Sequence, residues 1–193
     1  MGTATQPGGL ALRLAGLCGL LLLTAAASPP PAWTVTRDSS RIEMAVRAFG
    51  GGHTGRFDDW RADVVFDPET PGRTRATVVV QSRSLKMSPS AASSRATGPA
   101  FLDSDRYPDI RLDLQALRPL GGERYSAEAA VTIRGQTRTI TFPVDLRVSG
   151  DRAHLTGAFA LDRADFGIGT SGPWNRLVGR QVTVRVALQA QRG

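Results

Sequence analysis

Cysteine, histidine and lysine are almost absent from this chain of 193 residues, which contains one, two and one of them. The single cysteine, Cys18, lies in the N-terminal apolar run, so we expect a mature protein held by packing and hydrogen bonds without disulfides. His53 and His154 have no other potential metal ligand near them at a spacing known from metal sites, which argues against a metal site. G-x-S-x-G and phosphate-binding glycine motifs are also missing. We therefore expect no metal, no cofactor, no catalytic residue and no enzymatic activity.

Long apolar runs are missing except near the N-terminus. The run at residues 14–23 follows Arg13 and precedes Ala25, Ala26 and Ala27, which is the pattern of a signal peptide with small residues at its cleavage site. A membrane span needs about 20 residues, so this run is short for the alternative of a retained anchor. We predict a signal peptide at residues 1–27, a proline-rich lead-in at 28–32 and one domain at 33–193. The protein is then periplasmic or secreted.

The positive charge is carried almost entirely by arginine. Lys86 is the only lysine, so 23 of the 24 basic residues are arginines, and the net charge is +7. The arginines alternate with apolar residues instead of forming a run, which indicates solvated strand faces and no nucleic-acid partner. Weak contact with anionic lipid headgroups stays open, as does the choice between a monomer and a homodimer.

Alternation of apolar and polar residues is the main structural signal. Residues 131–144 (VTIRGQTRTITFPV) alternate on both sides of Arg134, Gly135 and Gln136, which predicts a hairpin whose Arg134 points to solvent. Similar stretches recur along the chain and give about eight two-faced strands. Residues 90–96 (SAASSRA) do not alternate and predict one short helical excursion. The fold expected is an all-β, antiparallel eight-stranded barrel.

The inward faces of these strands supply the candidate lumen residues. A barrel of eight strands has room for its own side chains or for one small ligand. Trp60, Phe142 and Phe159 are large enough to fill the space, and that alternative stays open. The lumen candidates are Ile42, Met44, Val46, Ile110, Leu112, Leu114, Val131, Ile133, Ile140, Phe142, Val144, Phe159, Leu161, Val182 and Val184.

Four charged residues are expected at the ends of inward-facing rows. Arg163 and Asp165 continue the alternation of residues 159–161, and Arg138 and Arg180 each precede an inward apolar residue. A buried charge needs a partner, so one interpretation is an Arg–Asp network that closes one end of the barrel. The other is that one or two of these side chains bind the polar head of a lipid.

Three motifs in the C-terminal half, VTIRGQTRTITFPV, FALDRADFGIG and VGRQVTVRVAL, resemble the YceI-like family. Asp38-Ser39-Ser40-Arg41-Ile42 and Tyr107-Pro108-Asp109-Ile110 are similar to its earlier segments. The resemblance implies an extended, lipocalin-like barrel that holds a polyisoprenoid or another amphiphilic lipid in its lumen. Where the family often has an acidic residue and a histidine, this chain has Ser93-Ser94-Arg95-Ala96.

Three hypotheses about function follow. The first is an exported protein that binds an isoprenoid quinone, a polyprenol or a similar lipid. The second is a stress-protective or interaction module that has a barrel filled by its own side chains and acts through its surface. The third is a hydrolase or isomerase that acts on a lipid and uses Arg163, Asp165 or a histidine.

Overall fold

A computed structural model describes residues 1–3 and 32–193. The predicted signal peptide, most of the lead-in and Cys18 lie outside the described residues. Eleven strands and two short helices make up the described part. The strands are β1 (Ala32–Val35), β2 (Arg41–Ala48), β3 (Gly51–Phe57), β4 (Trp60–Val65), β5 (Arg75–Gln81), β6 (Leu85–Met87), β7 (Asp109–Gly121), β8 (Arg124–Ile133), β9 (Gln136–Ser149), β10 (Arg152–Asp162) and β11 (Val178–Arg192); the helices are α1 (Ser90–Thr97) and α2 (Trp174–Leu177).

Eight of the strands form a closed antiparallel ring in the order β1-β4-β5-β7-β8-β9-β10-β11, with β11 pairing back onto β1. Nearly every strand has one apolar face, and closing the ring turns these faces toward one lumen. The prediction of an all-β, eight-stranded barrel is confirmed.

The three remaining strands extend the barrel beyond the ring, and we call β2, β3 and β6 the flap. Strand β11 has 15 residues and is long enough to pair with β2 between Val178 and Ala187 and with β1 near its end. Between the two partners, the Ser40 hydroxyl accepts a hydrogen bond from Gln189 N (2.9 Å) and donates one to Thr36 O (2.6 Å). Ser40 thus satisfies backbone groups that neither strand pairs at this point.

The hairpin between β8 and β9 has the predicted position, but the side chain of Arg134 has a different orientation from the predicted one. Ile133 pairs with Gln136, so the loop consists of Arg134 and Gly135, at φ +50° and +71°. Two positive φ angles are typical of a two-residue hairpin loop. The prediction that Arg134 points to solvent is wrong. Its side chain is only 19% exposed and donates a 2.7 Å hydrogen bond to Gly167 O, which joins the hairpin to the segment after β10.

The helices are short. Helix α1 matches the predicted excursion and follows β6 directly. Helix α2 precedes β11 and was not predicted, because four residues are too few to show a period. None of the helices in residues 32–193 is long and apolar enough to cross a membrane.

One end of the ring is filled by packed side chains, which we call the floor. Trp33 lies in the floor, and its indole Nε1 donates a hydrogen bond to Phe66 O at 2.8 Å. Ala129 at its centre is completely buried. The floor consists of Trp33, Phe66, Leu117, Ala127, Ala129, Phe142, Val144 and Leu146.

Candidate ligand-binding cavity

A cavity of about 440 Å³ lies between the flap, α1 and the inner faces of the ring strands. All but three of its lining residues are apolar, the exceptions being His53, Arg95 and Arg163. Small-molecule sites are clefts of about 300–1,000 Å³ lined mainly by apolar side chains with a few polar groups. The cavity has this size and this lining.

Eleven of the fifteen lumen candidates line this cavity. They lie on the inner faces of β2, β7, β8, β10 and β11, where alternation brings every second side chain inward. For example, Met44 and Val184 are directly paired across β2 and β11. The eleven are Ile42, Met44, Val46, Ile110, Leu112, Val131, Ile133, Phe159, Leu161, Val182 and Val184.

The structure places the other four candidates, Leu114, Ile140, Phe142 and Val144, beside or within the floor and not on the cavity wall. They face inward as the alternation requires, but nearer the closed end. The rings of Phe142 and Phe159 are in contact, with centroids 4.6 Å apart and planes tilted by 41°, and they lie where the floor meets the cavity. Alternation predicts the face of a residue, whereas its depth along the barrel axis depends on strand register, which a single strand does not reveal.

Several lining residues come from β3, β6, α1 and the loop after it, and none of these is among the lumen candidates. Phe57, Leu85 and Met87 belong to flap strands. Phe101 and Leu102 lie in the loop after α1. The only signal for β6 was that Leu85 and Met87 are two residues apart, and a pattern of three residues is too short to predict a strand.

Arg163 borders the cavity, is 2% exposed, and is not free to bind a ligand. Its Nε donates to Gly179 O at 3.0 Å, Nη1 donates to Ile168 O and Gly169 O at 2.7 and 2.8 Å, and Nη2 donates to Val178 O at 2.6 Å. A guanidinium has five N–H donors, and the carbonyls of Trp174 and Asn175 in α2 accept longer hydrogen bonds from Nη2. Burial lowers the pKa of Arg163 from its ordinary value. Arg163 therefore holds the segment between β10 and β11 in place.

The expected Arg–Asp network does not form around Arg163. A 3₁₀ turn, Arg163–Phe166, ends the alternation, so Asp165 is exposed instead of facing inward. Arg180 pairs with Asp162 at 2.8 Å on the outer surface, and its hydrogen bond lowers the pKa of Asp162. Arg138 is exposed and donates to the neighbouring carbonyl of Thr137. Of the four charged candidates, only Arg163 reaches the cavity.

Aromatic side chains surround the place where the cavity reaches the surface. Phe49 lines the cavity and is 58% exposed. Its ring centroid lies 6.4 Å from that of Trp174, which in turn lies 5.6 Å from that of Phe101. The Arg95 guanidinium stacks over Trp174 at 4.8 Å. This opening joins the β2–β3 turn, α1 and α2.

The two histidines are far from forming a catalytic group. His154 is exposed, and His53 lines the cavity with Nε2 3.2 Å from Ala48 O. None of the residues that line the cavity carries a hydroxyl, thiol or carboxylate. Within the described residues no three His, Cys, Asp or Glu side chains are grouped so that they could hold a metal ion.

The fold and the cavity can be compared with known proteins. The model of the YceI-like domain matches residues 33–190. The chain belongs to the YceI-like family. UPF0312 proteins are similar to it: that of Pseudomonas syringae pv. tomato is 24% identical over 135 residues, which cover 67% of this chain and 70% of the relative. That of Yersinia pestis is 21% identical over 136 residues, with 69% and 70% covered.

Solved structures of the same fold include Burkholderia cenocepacia BcnA, with a TM-score of 0.76 and 24% identity over 80% of this chain and 98% of that one. A polyisoprenoid binding domain from Saccharophagus degradans has a TM-score of 0.66 and 16% identity, and the match covers 84% of this chain and 99% of that domain. Both structures share the barrel fold with this chain.

Proposed function

We propose that this YceI-like protein binds a lipid non-covalently, with the apolar tail of an isoprenoid quinone, a polyprenol or a similar amphiphile in its cavity. The observation that carries the proposal is the lining of the cavity, in which only His53, Arg95 and Arg163 are polar. The hydrogen bonds of Arg163 are already used by carbonyl groups, so the wall offers the ligand an apolar surface.

The energetic argument is desolvation. Each methylene moved from water into an apolar site contributes about 0.8 kcal/mol, so ten buried carbons contribute roughly 8 kcal/mol. Association and ordering remove several kcal/mol of this gain. The remainder suffices for binding without a strong polar contact. A lipid with a long hydrocarbon tail and a small polar head is therefore the class of ligand that this cavity favours.

The neighbours and the N-terminus support the proposal further. One structure with this fold is a polyisoprenoid binding domain, and its name indicates the kind of ligand that such a barrel accommodates. The pattern of Arg13, the apolar run and the three alanines supports export to the periplasm or beyond. Catalysis is not part of the proposal, because the cavity wall carries neither a nucleophile nor a carboxylate that could act on a lipid.

The second hypothesis, a barrel filled by its own side chains, is less well supported. Phe142 and Phe159 fill the region next to the floor, and Trp60 packs with Ile42 and Phe57 in a neighbouring cluster. About 440 Å³ nevertheless stays unfilled.

Native mass spectrometry of the protein purified from its own host tests the proposal. We expect an added mass that is released by organic solvent and identified as an isoprenoid or another long-chain lipid. The variant V184W, which places an indole in the cavity and narrows it, should lose most of this mass. The matched control R185W places the same indole one residue further, on the outer face of β11, and should keep it.

Both variants are checked for unchanged unfolding temperature, and M44W replaces V184W if the latter fails to fold. A protein that carries no lipid and binds neither quinones nor polyprenols would overturn the proposal. Equal loss of the lipid in V184W and R185W would contradict the location.

A further inference from the structure

Exposed apolar side chains are concentrated at the cavity opening. In residues 32–193 the exposed large apolar residues are Phe49, Leu120 and Leu177, at 58%, 60% and 43%. Phe49 and Leu177 are adjacent, since Phe49 N donates to Leu177 O at 2.9 Å, and half-buried Trp174 contacts Phe49. Leu120 lies apart from them, at the hairpin between β7 and β8.

Phe49 is also held in an unusual backbone conformation. Its φ is +53°, in the left-handed region, where a bulky side chain is disfavoured and glycine is common. Gly50, Gly51 and Gly52 follow directly, so the turn is rich in glycine except at the position that projects the ring. The phenyl ring is thus present despite a backbone cost, which argues that the side chain itself serves a purpose.

Three arginines flank these apolar side chains. Arg47 lies two residues before Phe49, Arg176 precedes Leu177, and Arg95 stacks on Trp174. All three are exposed, and within residues 32–193 none of them forms an ion pair, whereas ten arginines elsewhere do. We call Phe49, Trp174 and Leu177 with Arg47, Arg95 and Arg176 the mouth surface.

Acidic residues are missing from the chain segments that form this surface. Residues 44–57, 84–102 and 166–193 contain no aspartate or glutamate. Asp162 and Asp165, which precede the last segment, both act on Arg180, and we leave Arg180 out of the surface for that reason. The mouth surface is therefore both apolar and uniformly positive.

We infer that the mouth surface docks onto a bilayer that contains anionic lipids. Aromatic side chains favour the level of the headgroups, and arginines near an anionic leaflet are attracted to its negative surface potential. The cavity opens within the same surface, so docking places its opening against the acyl chains. A membrane suits this surface better than a nucleic acid, because half of its side chains are apolar.

The inference concerns the outer surface and holds whether or not the cavity carries a lipid. The inference can therefore be wrong while the proposed function is right, and the proposed function can be wrong while the inference is right. The two are separated experimentally because vesicle binding is measured by sedimentation, whereas bound lipid is measured by mass.

Co-sedimentation with vesicles tests the inference. The full chain is expressed in a bacterial host and purified, and its N-terminus is determined by mass spectrometry. It is then mixed with vesicles of phosphatidylcholine alone or with about one third phosphatidylglycerol. We expect binding only to the anionic vesicles, and a marked loss at 1 M salt, where the screening length falls to about 3 Å.

The variant R47Q/R95Q/R176Q should weaken binding by roughly 100-fold, because each arginine near such a surface changes the partition about fivefold. The matched control R73Q/R75Q/R152Q removes three exposed arginines at the floor end of the barrel, and should change binding far less. F49N keeps a residue that tolerates a left-handed backbone, so we expect it to fold normally and to bind vesicles more weakly.

Equal effects of the two triple variants would overturn the inference, because a general attraction of the net charge would then explain the binding. Salt-independent binding to neutral vesicles, unchanged in every variant, would indicate a retained N-terminal anchor and also overturn it. Stronger retention on heparin or DNA than on anionic vesicles, lost in R47Q/R95Q/R176Q, would assign the surface to a polyanion instead.

Discussion

Replacing Arg163 by leucine should destabilise the protein far more than replacing an exposed arginine. The guanidinium is the donor for four carbonyl oxygens at 3.0 Å or less, those of Ile168, Gly169, Val178 and Gly179. These carbonyls belong to the segment that closes one side of the cavity, and leucine cannot replace any of the bonds.

The expected cost follows from the number of bonds. A hydrogen bond contributes about 1 kcal/mol net, so losing four costs about 4 kcal/mol. Removing a buried charge returns part of this, because Arg163 has no carboxylate in direct contact and only carbonyl dipoles offset its desolvation. We therefore expect R163L to lower the free energy of unfolding by about 3 kcal/mol, which is large for one substitution.

Urea denaturation followed by tryptophan fluorescence measures this change. With a slope of about 2 kcal/mol per molar, the midpoint should fall by about 1.5 M. Arg138 is exposed and bonds only to the adjacent carbonyl of Thr137, so the control R138L should change stability by less than about 0.5 kcal/mol.

The conservative variant R163K separates geometry from charge. Lysine keeps the charge, but its three donors share one nitrogen and cannot reach carbonyls on both sides of the fork. We expect R163K to recover less than half of the lost stability. An R163L protein within about 1 kcal/mol of the parent, or an R163K protein equal to it, would refute the reasoning.

Two further predictions concern the ring and the flap. The hydrogen bond from Arg111 holds the pKa of Asp113 below its ordinary value, so the unfolded chain binds this proton more readily. This stabilisation is complete above the unfolded pKa of about 3.9 and is lost as the pH falls through the folded pKa. In urea titrations, D113N should therefore lower the free energy of unfolding by up to about 1 kcal/mol at pH 7 and by less at pH 2. A Cβ at Gly55 would lie 2.8 Å from Leu85 Cδ1, so G55A should displace β6 and lower the free energy of unfolding by about 1–3 kcal/mol. The control G52A, at a glycine with open space around it, should lower it little. Similar unfolding midpoints for the two variants would contradict this prediction.

The sequence predicts the ring well because each strand carries its own signal. Strand β8 alternates over ten residues, and the inward positions of its partner β9 follow from the same period. The orientation of a side chain relative to the sheet is a local property, so the eleven cavity residues could be named without knowing which strands are neighbours.

The flap and the mouth depend on interactions between distant parts of the chain. The change of partner along β11 occurs where Ser40 meets Gln189, 149 positions apart in sequence. Arg163 follows an alternating strand and was therefore expected to face inward, which is correct. Its role in holding the segment between β10 and β11 could not be predicted, because its partners are backbone carbonyls, which every residue has and which the sequence does not distinguish.

The Arg134 error has the same origin. A hairpin loop is expected to be solvated, and Arg134 would be exposed in an isolated hairpin. In the protein, Gly167 and Pro99 bring carbonyl oxygens to its guanidinium, and Asp103 adds a carboxylate at 3.7 Å. Only the complete fold places these groups around the loop.

The pair of rings formed by Phe142 and Phe159 lies at the boundary between two parts of the barrel that consist of different residues. The floor is made by one set of side chains and the cavity wall by another. Mutations that widen, narrow or reshape the wall can therefore accumulate while the eight floor residues stay the same, provided that Leu112 and Phe159, which line the cavity and also pack against the floor, are kept. Such a division allows a lineage to exchange one hydrophobic ligand for another while its scaffold stays constant.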